Sequence, residues 1–303
     1  MMRFGLFGTG YWAEQTQGAA LVAHPEAELV GVWGRDPAKA AALASRLGVR
    51  PYDDVDALIA DVDAIAVALP PDVQAPIAER AARAGRHLLL DKPLALTTAD
   101  ADRVVEAVAE TGVASVVFFT SRFDPDVVQA LEQASAAGGW SSARVTMYAS
   151  IFAQGGPYSG SAWRKVHGGL WDIGPHALSR LLPVLGPVTE VTSLAGAHAT
   201  SHVLARHDSG AVSVLMLTLD APPTALLFEY QLHGEAGVLD LPGGSGDPVA
   251  NFGRAIDELL AEVRHAGEGG PAHPCDVRFA REVVAVLEAA QLSQQEGRTV
   301  ALR

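Results

Sequence analysis

Three residues of this chain have side chains suited to proton transfer and stand where a fold could gather them. Lys92 belongs to the triplet 91–93 (DKP), which follows a strand-like run at 87–90, and Asp172 and His176 lie four residues apart in the segment 168–176 (GGLWDIGPH). A lysine can polarise or protonate a substrate oxygen, and an imidazole can act as general acid or base beside a carboxylate that orients it. A structural interpretation is also open, with Lys92 on the surface, Asp172 capping a helix and His176 partly buried.

A glycine-rich turn near the N-terminus could bind a nucleotide. The segment 8–13 (GTGYWA) follows the apolar run 2–7 and opens a helical stretch that ends at 23. In this G-x-G-x-x-A pattern the first glycine allows a tight turn, the second lets a pyrophosphate approach the backbone, and the alanine allows close helix packing. The helix N-terminus adds unpaired N–H groups and the positive end of its dipole. An ordinary strand-to-helix turn is the alternative.

The end of the second predicted strand, 28–33, bears on the choice of cofactor. An NAD-specific site usually has an acidic residue there, which binds the ribose 2′-hydroxyl. In this chain Gly34 takes that place and Arg35 follows it. A guanidinium group suits a 2′-phosphate, and the missing carboxylate removes a repulsive charge. The residues therefore favour NADP(H) over NAD(H); the alternative is a solvated Arg35 followed by Asp36 as a helix cap.

The elements that would position these residues begin with an alternation of strands and helices. Apolar strand-like runs occur at 2–7, 28–33, 64–69, 87–90 and 114–119, with helical stretches at 37–47, 76–84 and 99–110 between them. Strands that are apolar throughout and separated by helices predict a parallel sheet buried on both faces. Such a doubly wound Rossmann domain binds ligands at the carboxyl ends of its strands, where the glycine turn and Lys92 both lie.

The pattern changes near residue 120. Helices are predicted at 127–136, 175–185, 248–266 and 276–296, and strand-like runs occupy 143–151 and much of 188–241. This indicates an α+β domain with a large, mostly antiparallel sheet. We predict an α/β protein with an NAD(P)-binding Rossmann domain over 1–120 and a substrate-binding and oligomerisation domain over 121–303.

The composition argues against several other classes of protein. A formal net charge of −13 repels phosphate backbones and anionic lipid, so we expect no nucleic acid and no membrane as partners. No apolar run approaches the roughly 18 residues that cross a bilayer, and the N-terminus lacks the order of a signal peptide. The single cysteine, Cys275, cannot form an internal disulfide, so we expect a cytoplasmic protein. The histidines show no ligand-like spacing, and no metal is expected.

Five segments, taken in order, resemble the Gfo/Idh/MocA family, which comprises glucose-fructose oxidoreductase, inositol dehydrogenase and MocA-like oxidoreductases. They are GTGYWA at 8–13, DKP at 91–93, RFDP at 122–125, GGLWDIGPH at 168–176 and AAQLSQQEGRTVAL at 289–302. The resemblance covers nearly the whole chain. It implies hydride transfer between a nicotinamide and a sugar, cyclitol or related hydroxyl or carbonyl compound.

The resemblance also implies roles for individual residues. Lys92 and His176 would share proton transfer to and from the substrate oxygen, while Asp172 would position and polarise the reacting groups. Arg164, preceded by Trp163, resembles a residue that approaches the cofactor and substrate from the second domain, and the loop 151–162 would supply substrate contacts. The large sheet implies a homodimer or homotetramer. The expected cofactor-binding residues are Gly8, Thr9, Gly10, Tyr11, Trp12, Gly34, Arg35, Leu69, Pro70, Gln74, Asp91, Lys92 and Arg164.

The sequence departs from the family pattern at three positions. Asp91 stands where a glutamate is usual, Gln74 where a histidine is common and Ser179 where an acidic residue is frequent. These changes leave the catalytic group of Lys92 and the Asp172/His176 pair intact and affect the expected substrate contacts.

Three kinds of function are compatible with these residues. The first is an NADP(H)-preferring dehydrogenase or reductase acting on CH–OH groups, with NAD(H) as the alternative cofactor. The second is a nicotinamide-assisted glycosidase or epimerase, and the third is a non-catalytic nucleotide-sensing protein. Only the first two need Lys92, Asp172 and His176, so the presence of all three favours an enzyme, and we predict the first.

Overall fold

A computed structural model describes residues 1–152, 156–265 and 272–302. Two compact units divide the chain: Met1–Phe123 with Asp247–Arg281, and Asp124–Gly246 with Glu282–Arg303. The sequence predicted a single boundary near 120, whereas Asp247–Arg281 packs with the first unit. Of the expected substrate loop 151–162, residues 153–155 lie outside the described part, as does Ala266 at the predicted end of a helix.

Strands and α-helices alternate over the first half of the chain, and strands dominate between residues 188 and 240. The strands are β1 (Met2–Phe7), β2 (Ala27–Trp33), β3 (Arg50–Tyr52), β4 (Ala64–Val67), β5 (His87–Asp91), β6 (Ser115–Phe118), β7 (Trp140–Tyr148), β8 (Val188–Ala195), β9 (Ser201–His207), β10 (Val212–Thr218), β11 (Leu227–Gly234), β12 (Gly237–Asp240) and β13 (Val300–Ala301). The α-helices are α1 (Ala19–Ala23), α2 (Pro37–Leu47), α3 (Val55–Ala60), α4 (Pro71–Arg83), α5 (Thr98–Thr111), α6 (Pro125–Ala137), α7 (Ala162–Asp172), α8 (Gly174–Leu185), α9 (Pro248–Arg264) and α10 (Val277–Glu296).

The first unit contains the predicted Rossmann sheet. Its six strands run in the order β3-β2-β1-β4-β5-β6, and every neighbouring pair is parallel. The strand order reverses between β1 and β4, so the segments that follow these two strands emerge side by side. In open α/β sheets this switch point is where ligands bind.

Helix α2 shows how local sequence sets the ends of an element. The Asp36 carboxylate accepts hydrogen bonds from the backbone N–H groups of Ala38 (3.0 Å) and Lys39 (3.2 Å). Pro37 occupies the first helical position, where its missing N–H is not needed, and Gly48 ends the helix at φ 70°. The helix covers 37–47, as predicted.

Helix α4 begins five residues earlier than the predicted 76–84. The prediction places its start at Pro76, but Pro71 takes the favoured first position and Pro76 lies in the second turn. Pro76 cannot donate to the carbonyl of Asp72, and both residues are exposed, so water can satisfy that carbonyl. The earlier start places Gln74 inside the helix.

The segment Asp247–Arg281 joins the first unit through aromatic and polar contacts. Phe252 of α9 is fully buried and meets Phe118 of β6 edge-on, with ring centroids 4.9 Å apart. Phe279 meets Phe119 in the same way at 5.5 Å, and the carbonyl of Cys275 accepts a hydrogen bond from the backbone N–H of Val117. These partners are distant in sequence, which explains why the sequence did not predict the packing.

The second unit contains a seven-stranded sheet in the order β12-β11-β7-β10-β9-β8-β13. Neighbouring strands are antiparallel except for β7 and β10, which are parallel, so the predicted mostly antiparallel sheet is confirmed. Side chains of β9 alternate between buried and exposed, as expected where one face packs on a core and the other faces outward. No helix in the described ranges is long and apolar enough to cross a membrane.

Candidate active site

The glycine turn after β1 has the geometry that its sequence predicts. Gly8 adopts φ 138°, and a Cβ placed there would lie 2.5 Å from the carbonyl oxygen of Ala68, which follows β4. Only glycine at position 8 allows the ends of β1 and β4 to come so close together. The N–H of Gly8 donates to the carbonyl of Trp33 at 2.8 Å, which ties the turn to the end of β2 as well.

The turn leads into a π-helix, Ala13–Gly18, that continues as α1, and the space beyond the turn is open at the start of this helix. No atom lies within 4 Å of a Cβ placed on Gly10, and Tyr11 is 52% exposed. The indole Nε1 of Trp12 is buried without a hydrogen-bond partner among the described residues. An open glycine backbone and unpaired donors at a helix N-terminus fit the phosphates of a dinucleotide. Behind the turn, Ala13 is fully buried, so the helix packs closely.

The end of β2 is crowded by the side chain of Thr9. A Cβ on the buried Gly34 would lie 2.4 Å from the methyl group of Thr9, so a larger residue at position 34 would require the Thr9 side chain to move. Arg35 is exposed, and its guanidinium has no ion-pair or hydrogen-bond partner in the described part of the chain. The sequence could not reveal the contact between Thr9 and Gly34, because it joins two loops.

Two further predicted residues follow β4. Leu69 and Pro70 are partly exposed at the carboxyl end of this strand, beside the glycine turn, and Pro70 is the N-terminal cap of α4. They line the switch point of the sheet.

Lys92 follows β5 in a tightly bonded loop. Its backbone N–H donates to the carboxylate of Asp91 at 2.8 Å, and its peptide bond to Pro93 is cis. Gln74 is fully buried, and its side-chain amide bonds the backbone on both sides of Lys92. Lys92 is partly exposed at the strand end, as predicted.

The second unit brings together Asp172, Arg164 and two aromatic rings. The guanidinium of Arg164 lies 4.3 Å from the ring centroid of Tyr158 and 4.7 Å from that of Trp163. Its Nε is 3.1 Å from Oδ2 of the buried Asp172, an ion pair in which the N–H is not aimed as a hydrogen bond. Stacking on rings suits the planar guanidinium. Sequence reasoning missed Tyr158, for which no motif gave a signal.

The segment 168–176 turns sharply between two helices. Gly168 adopts φ 63° inside α7, and a Cβ on Gly169 would lie 2.8 Å from the backbone of Leu217 in β10. His176 is partly exposed in the first turn of α8, and its carbonyl accepts a hydrogen bond from the hydroxyl of Ser179. The glycines let this segment lie against the sheet while Asp172 and His176 stand on either side of a helix boundary.

The predicted site residues thus fall into two sets. Lys92 and the cofactor residues other than Arg164 lie in the first unit, and Asp172, His176 and Arg164 lie in the second. The catalytic roles of Lys92, Asp172 and His176, and their joint action, stay predictions. Within the described ranges, no group of three or more His, Cys, Asp or Glu residues could hold a metal ion.

The single cysteine is not placed as a nucleophile. Cys275 is buried in the first unit, and burial raises the pKa of its thiol, with Arg122 opposing that effect. A thiol with a raised pKa is a poor nucleophile.

Comparison with known proteins gives a consistent result for both parts of the chain. Residues 2–119 match the model described as "Oxidoreductase family, NAD-binding Rossmann fold", and residues 128–240 match that of the "GFO/IDH/MocA C-terminal domain". The two matched stretches fall on either side of residue 120.

Two characterised relatives and one solved structure are similar over most of the chain. The dTDP-3,4-didehydro-2,6-dideoxy-alpha-D-glucose 3-reductase of Streptomyces antibioticus is 30% identical over 79% of this chain and 75% of its own. The D-xylose 1-dehydrogenase (NADP(+)) 2 of Haloferax volcanii is 28% identical over 88% and 82%. The WlbA dehydrogenase of Bordetella pertussis, in complex with NADH and UDP-GlcNAcA, shares the fold with TM-score 0.80, 23% identity and coverage of 100% and 98%.

The first matched region contains the parallel sheet with the glycine turn at its switch point, and the second contains most of the large sheet of the second unit. The reductase similarity extends over three-quarters of that enzyme. The chain belongs to the GFO/IDH/MocA family of oxidoreductases, whose N-terminal region is an NAD-binding Rossmann fold.

Proposed function

We propose that this protein is an NADP(H)-preferring oxidoreductase that transfers hydride between the nicotinamide and a sugar, cyclitol or related hydroxyl or carbonyl compound. The observation that carries the proposal is Lys92, a partly exposed lysine held at the carboxyl end of β5 in the Rossmann unit of an oxidoreductase. Relatives named as a dideoxyhexose reductase and a xylose dehydrogenase support polyhydroxylated substrates.

The proposed chemistry moves a hydride and a proton. A bound nicotinamide would supply the hydride acceptor for oxidation and the hydride donor for reduction. Lys92 and His176 share the transfer of one proton, which leaves the hydroxyl as the carbonyl forms and returns to the oxygen as the carbonyl is reduced. Asp172 orients the imidazole or the substrate, and its ion pair with Arg164 keeps the carboxylate in one place.

The NADP(H) preference rests on the end of β2. Gly34 supplies no acidic side chain that would bind a 2′-hydroxyl and repel a 2′-phosphate. Arg35 is exposed beside it with a guanidinium that can form a bidentate pair with phosphate. One relative is named for NADP(+), while a solved structure of this fold holds NADH. We propose NADP(H), with NAD(H) as the weaker cofactor.

The proposed homodimer or homotetramer would form through the outer face of the sheet in the second unit. Leu204 of β9 and Val214 of β10 are directly paired across the strands, and they are 48% and 40% exposed. Leu194 of β8 and Val238 of β12 add to the apolar surface of the unit. Exposed apolar residues on an open sheet face are typical of a surface that another protein covers.

The proposed location is the cytoplasm. It is supported by a single buried cysteine, which gives the protein no disulfide that an oxidising compartment would maintain.

The experiment that tests the function measures oxidation of NADPH by its near-ultraviolet absorbance. Purified protein is mixed with a panel of ketoses, keto-sugar nucleotides and inosones, and the reverse panel of sugars and cyclitols is offered with NADP+. We expect at least one compound to change the absorbance. The proposal is wrong if none does.

Replacing Lys92 by Met tests the role of the ammonium group. The variant should still bind NADPH and lose turnover, because methionine has an unbranched, slightly shorter side chain that carries no charge and cannot hold or move a proton. Net conversion of a substrate without any change in NADPH absorbance would instead support the nicotinamide-assisted glycosidase or epimerase.

A further inference from the structure

Gln74 lies one helical turn from the switch point of the Rossmann sheet. It belongs to the first turn of α4, and its backbone N–H donates to the carbonyl of Pro70. Its side chain is 0% exposed. A glutamine without solvent must satisfy both ends of its amide within the protein.

The Gln74 amide is satisfied by the loop that carries Lys92. Its Nε2 donates to the carbonyl oxygens of Asp91 (2.7 Å), Pro93 (3.1 Å) and Leu94 (3.3 Å), and its Oε1 accepts from the N–H of Asp91 (2.9 Å). Lys92 therefore lies between Asp91 and Pro93, and the backbone groups of both neighbours are hydrogen-bonded to the Gln74 side chain. Its own N–H is bonded to the carboxylate of Asp91.

The arrangement requires a group that donates and accepts at once. A carboxylate in place of the amide would lack the donor, and an apolar side chain would leave a buried N–H and several carbonyl groups without this partner. Leaving a buried polar group unpaired destabilises the arrangement that buries it. The loop would then move to find other partners, and Lys92 would move with it.

The position of Lys92 matters because its ammonium sits at the end of a flexible four-carbon stem. A catalytic group misplaced by about 1 Å can lower a rate about a hundredfold. Fixing the backbone at the base of the stem reduces the volume that the ammonium samples. Since the amide is occupied and buried, Gln74 can affect the bound cofactor or substrate only through the residues that it holds.

We propose that Gln74 is a positioning residue that holds the Asp91–Leu94 loop and thereby sets where the Lys92 ammonium stands. The proposal rests on the proposed function for the statement that Lys92 handles the substrate proton. The geometric part, that Gln74 determines the surroundings of the Lys92 ammonium, can be tested without any substrate.

The chain makes such a test practical because it has three lysines, Lys39, Lys92 and Lys165. Reductive ¹³C-methylation labels each amine and keeps its charge, so the NMR spectrum contains few signals. The Lys92 signal is assigned by its loss in Lys92→Arg. Gln74→Leu removes both ends of the amide, and Gln74→Glu keeps the shape and the acceptor but not the donor.

Gln17→Leu is the matched control. Gln17 is also 0% exposed in the first unit, and its Nε2 donates to the carbonyl of Val67 at 2.9 Å. Within the described part of the chain, its side chain makes no hydrogen bond to the Asp91–Leu94 loop. Thermal unfolding measures the loss of stability in each variant. The control distinguishes the general effect of losing a buried amide from the specific effect of losing the Gln74 amide.

We expect the Lys92 methyl signal to shift or broaden in both Gln74 variants and to keep its position in Gln17→Leu, with Lys39 and Lys165 unchanged throughout. An unchanged Lys92 signal in a folded Gln74 variant would overturn the proposal. Loss of folding in both variants would also overturn it, since Gln74 would then be needed for the unit rather than for Lys92.

Activity then links this geometry to turnover. With a substrate in hand, Gln74→Glu should lower kcat by about tenfold to a hundredfold and alter its pH profile, while the KM for NADPH is unchanged. A loss of stability alone would leave the pH profile of the folded fraction as it was. If the Lys92 signal moves but wild-type protein reduces nothing, the proposed function fails and the positioning of Lys92 by Gln74 stands.

Discussion

Arg35 is the residue on which the choice between the two cofactors depends. Its exposed guanidinium follows Gly34, and a charge-assisted contact with phosphate contributes about 1.5–3 kcal/mol. We therefore predict that Arg35→Ala raises the dissociation constant for NADPH by about tenfold to a hundredfold and leaves that for NADH nearly unchanged. Fluorescence titration with each nucleotide measures both constants.

Arg50→Ala is the control for this prediction. Arg50 is an exposed arginine of β3 in the same unit, where it stacks on Tyr52. Its loss should leave both dissociation constants as they are. Equal effects of Arg35→Ala on the two nucleotides would show that Arg35 does not read the 2′-phosphate.

Arg164 is a second residue with a measurable role, through its ion pair with Asp172 in the second unit. Removing one partner of a buried pair leaves the other charge without compensation. We predict that Arg164→Met lowers kcat/KM by about tenfold or more, and that Arg164→Lys is intermediate because it keeps the charge but not the stacked plane. Steady-state kinetics on the substrate found in the panel measure this.

A surface ion pair of the same unit provides the comparison. Arg298 pairs with Glu296, and both side chains are exposed, so Arg298→Met should not change kcat/KM. If Arg164→Met behaves like Arg298→Met, the pair with Asp172 has no part in turnover.

At the scale of elements, the sequence predicted what local patterns determine. The limits of α2 follow from Asp36, Pro37 and Gly48, all within or beside the helix. The predicted start of α4 was wrong because Pro71 and Pro76 both match the preference for proline at the first position of a helix, and the helix begins at Pro71. The role of Gln74 could not be predicted, since its partners at 91–94 are brought to it by the pairing of β4 with β5.

Helix α9 is an element whose place was not predicted and whose packing can be tested. Phe252 is 0% exposed against Phe118, and replacing a buried phenylalanine by alanine costs about 3–5 kcal/mol. We expect Phe252→Ala to lower the free energy of unfolding by that amount in a urea titration followed by circular dichroism. Phe228, 57% exposed on β11, is the control, and Phe228→Ala should change it by less than about 0.5 kcal/mol. Similar losses in the two variants would contradict the observed burial.

At the scale of the whole chain, the sequence predicted one boundary between two contiguous domains. In the structure each of the two units is made of two separate segments of the chain. Composition and periodicity change near residue 120, just after β6 ends at Phe118. They cannot show that Asp247–Arg281 returns to the first unit, because this depends on contacts such as Phe279 with Phe119. A contiguous second domain was the simplest interpretation of the pattern.

The oligomeric state is also a property of the whole molecule, and the sheet face of the second unit makes it testable. We predict that the wild-type protein sediments as a dimer or tetramer and that Leu204→Glu with Val214→Glu gives a monomer, because charges on paired strands would repel across a twofold interface. Val22→Glu is the control, as Val22 is 55% exposed on α1 of the other unit and should leave the mass unchanged. A monomeric wild type, or a double variant that keeps the wild-type mass in sedimentation velocity, would show that this face is not the interface.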